Sequence, residues 1–283
     1  MKLGIVFDDD AVLNAFNIIK YLNKKKYDVY PIYVGKDNEW YEYLGETKKS
    51  GEILAENIKS INNVFKYIKN MDLVLPLVTN SGNLIGLLNI LNISYVGASA
   101  LSNLICNDKV YLAKILRDIG VNLIPGVFIK YINGVFYQVN FDYSLKEVTV
   151  LDIDRILDYP VWLRDHIINN QDELNVSLYE EKQKNTNIYL EKYLAAEKIK
   201  CAVFNNQVVS KQKIDDNIKA IALKVYHAIN ANNLIKVSFL KVDNKLYLDK
   251  IIVVPDFSDL EILEGFDISY SELLDMVLEK GKK

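Results

Sequence analysis

Leu3-Gly4-Ile5-Val6-Phe7 is an apolar run that stops at Asp8-Asp9-Asp10. With no polar residue alternating through it, the run reads as a strand buried on both faces, the habit of a parallel sheet. The stretch that follows, Ala11 to Asn23, places Val12, Phe16, Ile19 and Leu22 at helical spacing. Beyond it, Tyr27 to Val34 reads as a second strand, residues 52–69 as a helix and Asp72 to Val78 as a third strand. Leu84 to Leu91 then reads as a helix and Ile93 to Val96 as a fourth strand. Strands alternating with helices indicate a parallel α/β sheet covered on both faces. This pattern sets a first domain at residues 1–100.

From Asn107 to Ile119 a helix is expected, opening at an Asn/Asp cap and closing at Gly120. The pattern then becomes one of short strands: Val127 to Tyr131, Val135 to Val139, Val148 to Leu151 and Val161 to Leu163. Asn133-Gly134 is the turn of an antiparallel hairpin. Ile188 to Tyr193 and Lys200 to Phe204 are two more strands, with Asn205-Asn206 as a turn. Ile214 to Ile229 reads as a helix, Ile235 to Val242 and Lys245 to Val253 as a hairpin around Asp243-Asn244, and Ser271 to Glu279 as a last helix. A central domain at 101–195 and a C-terminal one at 196–283, both α+β, complete the division.

A chain of 283 residues, 50% apolar, can bury a sizeable core. Its 34 basic and 37 acidic residues leave a net charge of -3, which sets up no field for nucleic acid or an anionic membrane. Cys106 and Cys201 lie far apart, and the histidines are His166 and His227, so the pattern fits neither a disulfide framework nor a zinc site. Both cysteines are expected to be buried, reduced thiols of a cytoplasmic protein. The apolar start is too short and too soon charged for a signal peptide, and no run reaches the roughly 18 residues of a membrane span.

Six strings stand in a fixed order along the chain. They are Tyr27-Asp28-Val29-Tyr30-Pro31-Ile32-Tyr33-Val34 with Trp40; Gly86-Leu87-Leu88-Asn89 through Ser94-Tyr95-Val96-Gly97; Asn107-Asp108-Lys109 with Lys114; Tyr159-Pro160-Val161; Leu190-Glu191-Lys192-Tyr193-Leu194; and Tyr247-Leu248 with Pro255 and Phe257. Each alone is a weak signal; in register they resemble the D-alanine-D-alanine ligases, an ATP-grasp family. The resemblance implies an α/β (α+β) protein: an N-terminal parallel α/β domain followed by central and C-terminal α+β domains of the ATP-grasp fold. In that family magnesium-ATP phosphorylates the carboxylate of one D-alanine, and the amine of a second attacks. Such phosphoryl transfer needs cations around the phosphate oxygens.

The positions that would supply them are altered. Where the family has an arginine and, two residues on, a metal-binding aspartate, this chain has Lys236 and Ser238; where it has Glu-x-Asn, this chain has Lys250 and Ile252. Magnesium takes oxygen ligands, so no metal is expected there. Asp249 is one residue out of step, which on a strand turns it to the other face. The family's glycine-rich phosphate loop corresponds to Asn169-Asn170-Gln171-Asp172-Glu173. At roughly 4 Å and an effective dielectric near 20, each of its two carboxylates would repel a unit of phosphate charge by about 4 kcal/mol. A substrate-binding Glu-His is matched loosely by Asp8-Asp9-Asp10, a His-Gly-rich loop shrinks to Thr79-Asn80-Ser81-Gly82-Asn83, and between Val208 and Ile214 there is no room for a closing lid.

What the resemblance leaves lies around the adenine: Lys109, Arg164, and the hinge Glu191, Lys192, Tyr193 and Leu194, with Glu197 or Lys198 near the ribose position. The expectation is a pseudoenzyme with no catalytic residues and no cofactor, acting by binding in peptidoglycan precursor synthesis, as a homodimer or with another protein of cell-wall synthesis. Two alternatives stay open. One is a residual ligase using ATP and magnesium, with Asp249, Asp256 or Asp259 as new ligands; the other is a nucleotide or D-amino-acid sensor.

Overall fold

A computed structural model describes residues 1–47, 53–78, 81–139, 145–147, 160–163, 166–184, 187–243 and 245–281. By its internal contacts the chain divides into two units. Met1–Asn107, Ile199–Ser238 and Lys250–Lys283 make the first; Asp108–Lys198 and Phe239–Asp249 make the second.

The first unit begins with β1 (Lys2–Phe7), α1 (Val12–Tyr21), β2 (Asp28–Val34), β3 (Trp40–Tyr43) and β4 (Ile58–Ser60). It continues through α2 (Val64–Ile68), β5 (Leu73–Pro76), α3 (Ser81–Ile90), β6 (Ser94–Tyr95) and α4 (Ala100–Asn107). The sheet order is β4-β3-β2-β1-β5-β6, with β1 central and parallel to both β2 and β5. Its side chains divide between two apolar layers as a strand's two-residue period requires. Leu3, Ile5 and Phe7 pack with Ala15, Phe16 and Ile18 of α1, while Val6 packs with Ile68, Val74, Leu84 and Leu88 on the other face. The expected doubly covered sheet is therefore present.

The helix expected over 52–69 is not. Ile58–Ser60 pairs antiparallel with β3 in the register Tyr41↔Ser60 to Tyr43↔Ile58, Ala55–Asn57 makes a single 3-10 turn, and Val64–Ile68 is a short α-helix capped by the Asn63 side chain. Pairing with β3 satisfies backbone groups that a helix would otherwise have to satisfy, and no local periodicity announces it. The helix expected from Asn107 to Ile119 is present over Lys109–Asp118, and a further helix that was not expected, α4, precedes it. α4 ends at Asn107, and Asp108 caps α5 (Lys109–Asp118) by accepting from the Val110 and Tyr111 amides at 2.9 and 3.2 Å. Gly120, at φ 69°, follows as the left-handed stop.

The second unit holds α5, β7 (Gly126–Ile132), β8 (Val135–Val139), β9 (Leu145–Glu147), β10 (Val161–Leu163), β11 (His166–Ile168), α6 (Gln171–Lys184) and β12 (Asn187–Lys192). Its sheet runs β11-β10-β12-β7-β8-β9. The Asn133-Gly134 turn joins β7 to β8 as expected, both residues having positive φ. The strand expected at Val148 to Leu151 lies outside the described residues.

α6 was not anticipated, although its signal is local. Asn170 accepts from the Glu173 amide at 3.0 Å, Glu173 receives the Asn169 amide at 2.8 Å, and Leu174 and Leu178 are buried one turn apart. The stretch that stands in the expected place of the family's phosphate loop is thus the capped start of a helix.

The remaining elements are β13 (Glu197–Phe204), β14 (Gln207–Val209), α7 (Asp216–Ala228), β15 (Ile235–Val242), β16 (Lys245–Ile252) and α8 (Tyr270–Glu279). The third sheet is ordered β14-β13-β15-β16. Residues 210–215 alone connect β14 to α7. No helix among the described residues is long and apolar enough to cross a membrane. Cys201 is buried, whereas Cys106 is only half-buried, contrary to the expectation for it; both thiols are free.

Candidate functional site

Two groups of the expected positions are organised, one in each unit. In the first unit the group centres on β15. Lys236 points into the protein and is 7% exposed at its side chain; its Nζ donates to Asp256 Oδ2 at 3.0 Å and lies 3.4 Å from the Asp259 carbonyl oxygen. Asp256, 11% exposed, also receives the Ser258 amide at 2.8 Å on Oδ1. Burial pushes the Asp256 carboxyl up, but the Lys236 charge and the Ser258 hydrogen bonds outweigh it and hold the group below the ordinary carboxylate value.

The segment carrying Asp256 is fastened to α1. Asn14 Nδ2 donates to the Pro255 carbonyl at 3.0 Å, its Oδ1 receives the Phe257 amide at 2.7 Å, and Asn17 donates to the Phe257 carbonyl at 2.8 Å. Phe257 itself is wholly buried in the core that α1 covers. Asn14 and Asn17 were not singled out in the sequence, because an asparagine on a helix face carries no sign of a partner some 240 residues away. Asp259 faces Lys200 at 3.3 Å, and Glu261 is paired with Lys211 in the short connection after β14.

The other altered positions differ from this pair in exposure. Ser238 and Ile252 are half-buried and Lys250 is exposed. The buried residues of β16 change phase at Asp249-Lys250, from Leu246 and Leu248 to Ile251, with Val253 following. Two ammonium groups, one hydroxyl and one aliphatic chain do not fit a magnesium ion, which takes oxygen ligands. Among the described residues no three His, Cys, Asp or Glu side chains are grouped to hold a metal.

In the second unit, Lys109 at the start of α5 is ion-paired with Glu191 on β12. Burial raises the Glu191 carboxyl and nearby Asp249 adds to it, while Lys109 acts in the opposite sense without cancelling the rise. Lys109 Nζ lies 6.0 Å from the Tyr189 ring centroid. The Lys192 amide donates to Pro125 at 2.8 Å, and the Tyr193 amide to Pro160 at 3.0 Å, with the Tyr193 ring tilted against Trp162 at 5.7 Å. Leu194 is half-buried beside them. β7 approaches β12 closely at Gly126, where a Cβ would stand 2.6 Å from the Leu190 carbonyl oxygen. Asp249 is held by Lys198 at 2.7 Å. Arg164, and with it Thr79, Asn80 and Tyr159, lies outside the described residues.

Of the remaining expected substrate positions, Asp9 accepts from the Tyr33 hydroxyl at 2.6 Å and is 3.4 Å from Lys36. Ser81, Gly82 and Asn83, expected as a loop, form the first turn of α3, where Ser81 donates to the buried Asn103 at 2.6 Å.

No family model matches the chain. It is 24% identical to D-alanine–D-alanine ligase B of Clostridium tetani, covering 99% of this chain and 93% of that one. It is 25% identical to the D-alanine–D-alanine ligase of Clostridium acetobutylicum, covering 98% and 97%. The first alignment runs over 336 positions against 283 residues here, so the relative carries stretches that this chain lacks. Among solved structures, a D-alanine-D-alanine ligase from Coxiella burnetii matches with a TM-score of 0.77 at 18% identity, over 99% of this chain and 94% of that one. VanG D-Ala:D-Ser ligase from Enterococcus faecalis matches at 0.76 and 18%, over 99% and 98%. The ligase from Bacillus anthracis complexed with ATP matches at 0.74 and 21%, over 99% and 96%.

Proposed function

From the premise that this chain belongs, at low identity, to the D-alanine–D-alanine ligase family of the ATP-grasp fold, we propose that it is a ligase scaffold that no longer ligates. It acts instead by binding, within peptidoglycan precursor synthesis, as a homodimer or against another protein of that process. The observation that carries this reading is the Lys236–Asp256 pair. Lys236, which the sequence resemblance matches to the family's oxyanion-holding arginine, is buried and already neutralised by the chain itself. A group so engaged cannot meet charge that develops on a substrate, which is what transition-state stabilisation requires.

Three further observations support it. Lys250 and Ile252 offer no carboxylate to a metal. The connection of residues 210–215 is too short to cover a site and exclude water from an acyl phosphate. Each aspartate that could replace the lost ligands faces a lysine instead: Asp249 faces Lys198, Asp256 faces Lys236 and Asp259 faces Lys200. These pairings oppose the residual-ligase alternative.

A sensor that binds nucleotide without turnover is favoured by one observation, the placement of Lys109 against Glu191 at the hinge. Thermal unfolding of the full chain with and without millimolar magnesium-ATP separates the readings. A ligand at 100 times its dissociation constant adds about 2.7 kcal/mol to native-state stability. The binding scaffold gives no shift and no phosphate release. A shift without phosphate release moves the assignment to the sensor, and magnesium-dependent hydrolysis overturns the pseudoenzyme outright.

A further inference from the structure

We propose that Asp256 is the resident ligand of an anion site built around Lys236, an intramolecular carboxylate standing where a small free carboxylate or oxyanion would otherwise bind. The proposal rests on the pseudoenzyme reading and states what has become of its emptied chemistry.

An ammonium group removed from water is costly unless an anion accompanies it. Lys236 is almost fully buried, so its site requires a negative charge whenever the protein is folded. Among the described residues the carboxylate within ion-pair distance is that of Asp256, and the Asp259 carbonyl oxygen at 3.4 Å is a second acceptor. The carboxylate is presented rather than merely nearby. Asn14 holds the residues on either side of it, and the Ser258 amide fixes its second oxygen. A free anion would have to displace a group anchored by these bonds, so the parent protein keeps the site closed. The neighbouring pairs, Lys200–Asp259 and Lys211–Glu261, are exposed and add little.

Chemical replacement tests this directly. Asp256→Ala removes the carboxylate while leaving Lys236 in place, and formate is a carboxylate small enough to occupy the vacated volume. The full chain is melted in sodium formate and in sodium chloride at equal ionic strength. In chloride the variant should melt lower than the parent by roughly 10 °C. Formate should restore much of that loss with a saturating dose dependence, whereas the parent and Lys236→Met/Asp256→Ala should not respond.

An equal formate response in the parent, no response in Asp256→Ala, or a response that survives removal of Lys236 would each overturn the proposal. Where Asp256→Ala does not fold in chloride, the readout becomes the folded yield on refolding in formate against chloride, and no rescue overturns it. Magnesium-ATP hydrolysis by the parent would defeat the pseudoenzyme reading and leave the formate result standing. A formate-silent variant would do the reverse.

Discussion

Lys236 Nζ and Asp256 Oδ2 are 3.0 Å apart in the first unit, in a place where neither side chain has appreciable contact with water. They lie twenty residues apart in the chain, on β15 and on the segment that α1 fastens down through Asn14 and Asn17. A buried pair of this kind costs desolvation as well as supplying attraction, so its worth shows only when one partner is removed.

Lys236→Met alone leaves Asp256 charged and buried, and is expected to lower unfolding free energy by about 3–5 kcal/mol. Lys236→Met with Asp256→Leu removes both charges and fills the space, and is expected to return to within about 1 kcal/mol of the parent, or above it. Urea unfolding of the parent, single and double variants measures both. A double variant as unstable as the single would show that packing, not the unpaired charge, sets the loss.

The same pair gives a dependence on acid. The Asp256 carboxyl is depressed in the folded state because Lys236 and Ser258 outweigh its burial. A depressed acid contributes stability that is fully present above its unfolded value, near 3.9, and is lost as pH falls through its folded value. The urea midpoint of the parent should therefore fall more steeply below about pH 4 than that of Asp256→Asn. Parallel curves from pH 3 to 6 would place the acid sensitivity elsewhere.

Glu191 has the opposite sign. Its carboxyl is raised chiefly by burial, with Asp249 adding and Lys109 only partly compensating. Its ionised form is the disfavoured one in the fold, so its contribution is most favourable in acid and is lost as pH rises through the raised folded value. Glu191→Gln is expected to be neutral or stabilising at pH 7, within about 1 kcal/mol, with that advantage shrinking at pH 4. A clear loss of stability at pH 7 would mean that the pair with Lys109 outweighs the burial.

Much of the architecture was legible because its causes are local. The run Leu3 to Phe7 is apolar at every side chain and became the central strand of the first sheet. Asn133-Gly134 and Asn205-Asn206 adopt positive φ and turn the chain where their chemistry allows it. The Asn170 to Glu173 cap and the buried Leu174 and Leu178 were equally local; that helix was there to be read and was missed. The stretch over 52–69 failed for another reason. Ile58–Ser60 takes its conformation from β3, and a strand of three residues is too short to show the two-residue period that would announce it.

For the candidate site, the sequence by itself determined which residue types are present: Lys236, Ser238, Lys250 and Ile252, at positions where the resemblance leads one to expect the family's arginine and metal ligands. Residue type follows from the chain alone. What those residues do was decided by the tertiary structure. Whether Lys236 reaches water, a substrate or a carboxylate depends on desolvation and on where the segment from Pro255 to Ser258 is held. Both are set by α1 packing against residues some 240 positions away, and a charge acquires its energy from such surroundings rather than from its place in the sequence.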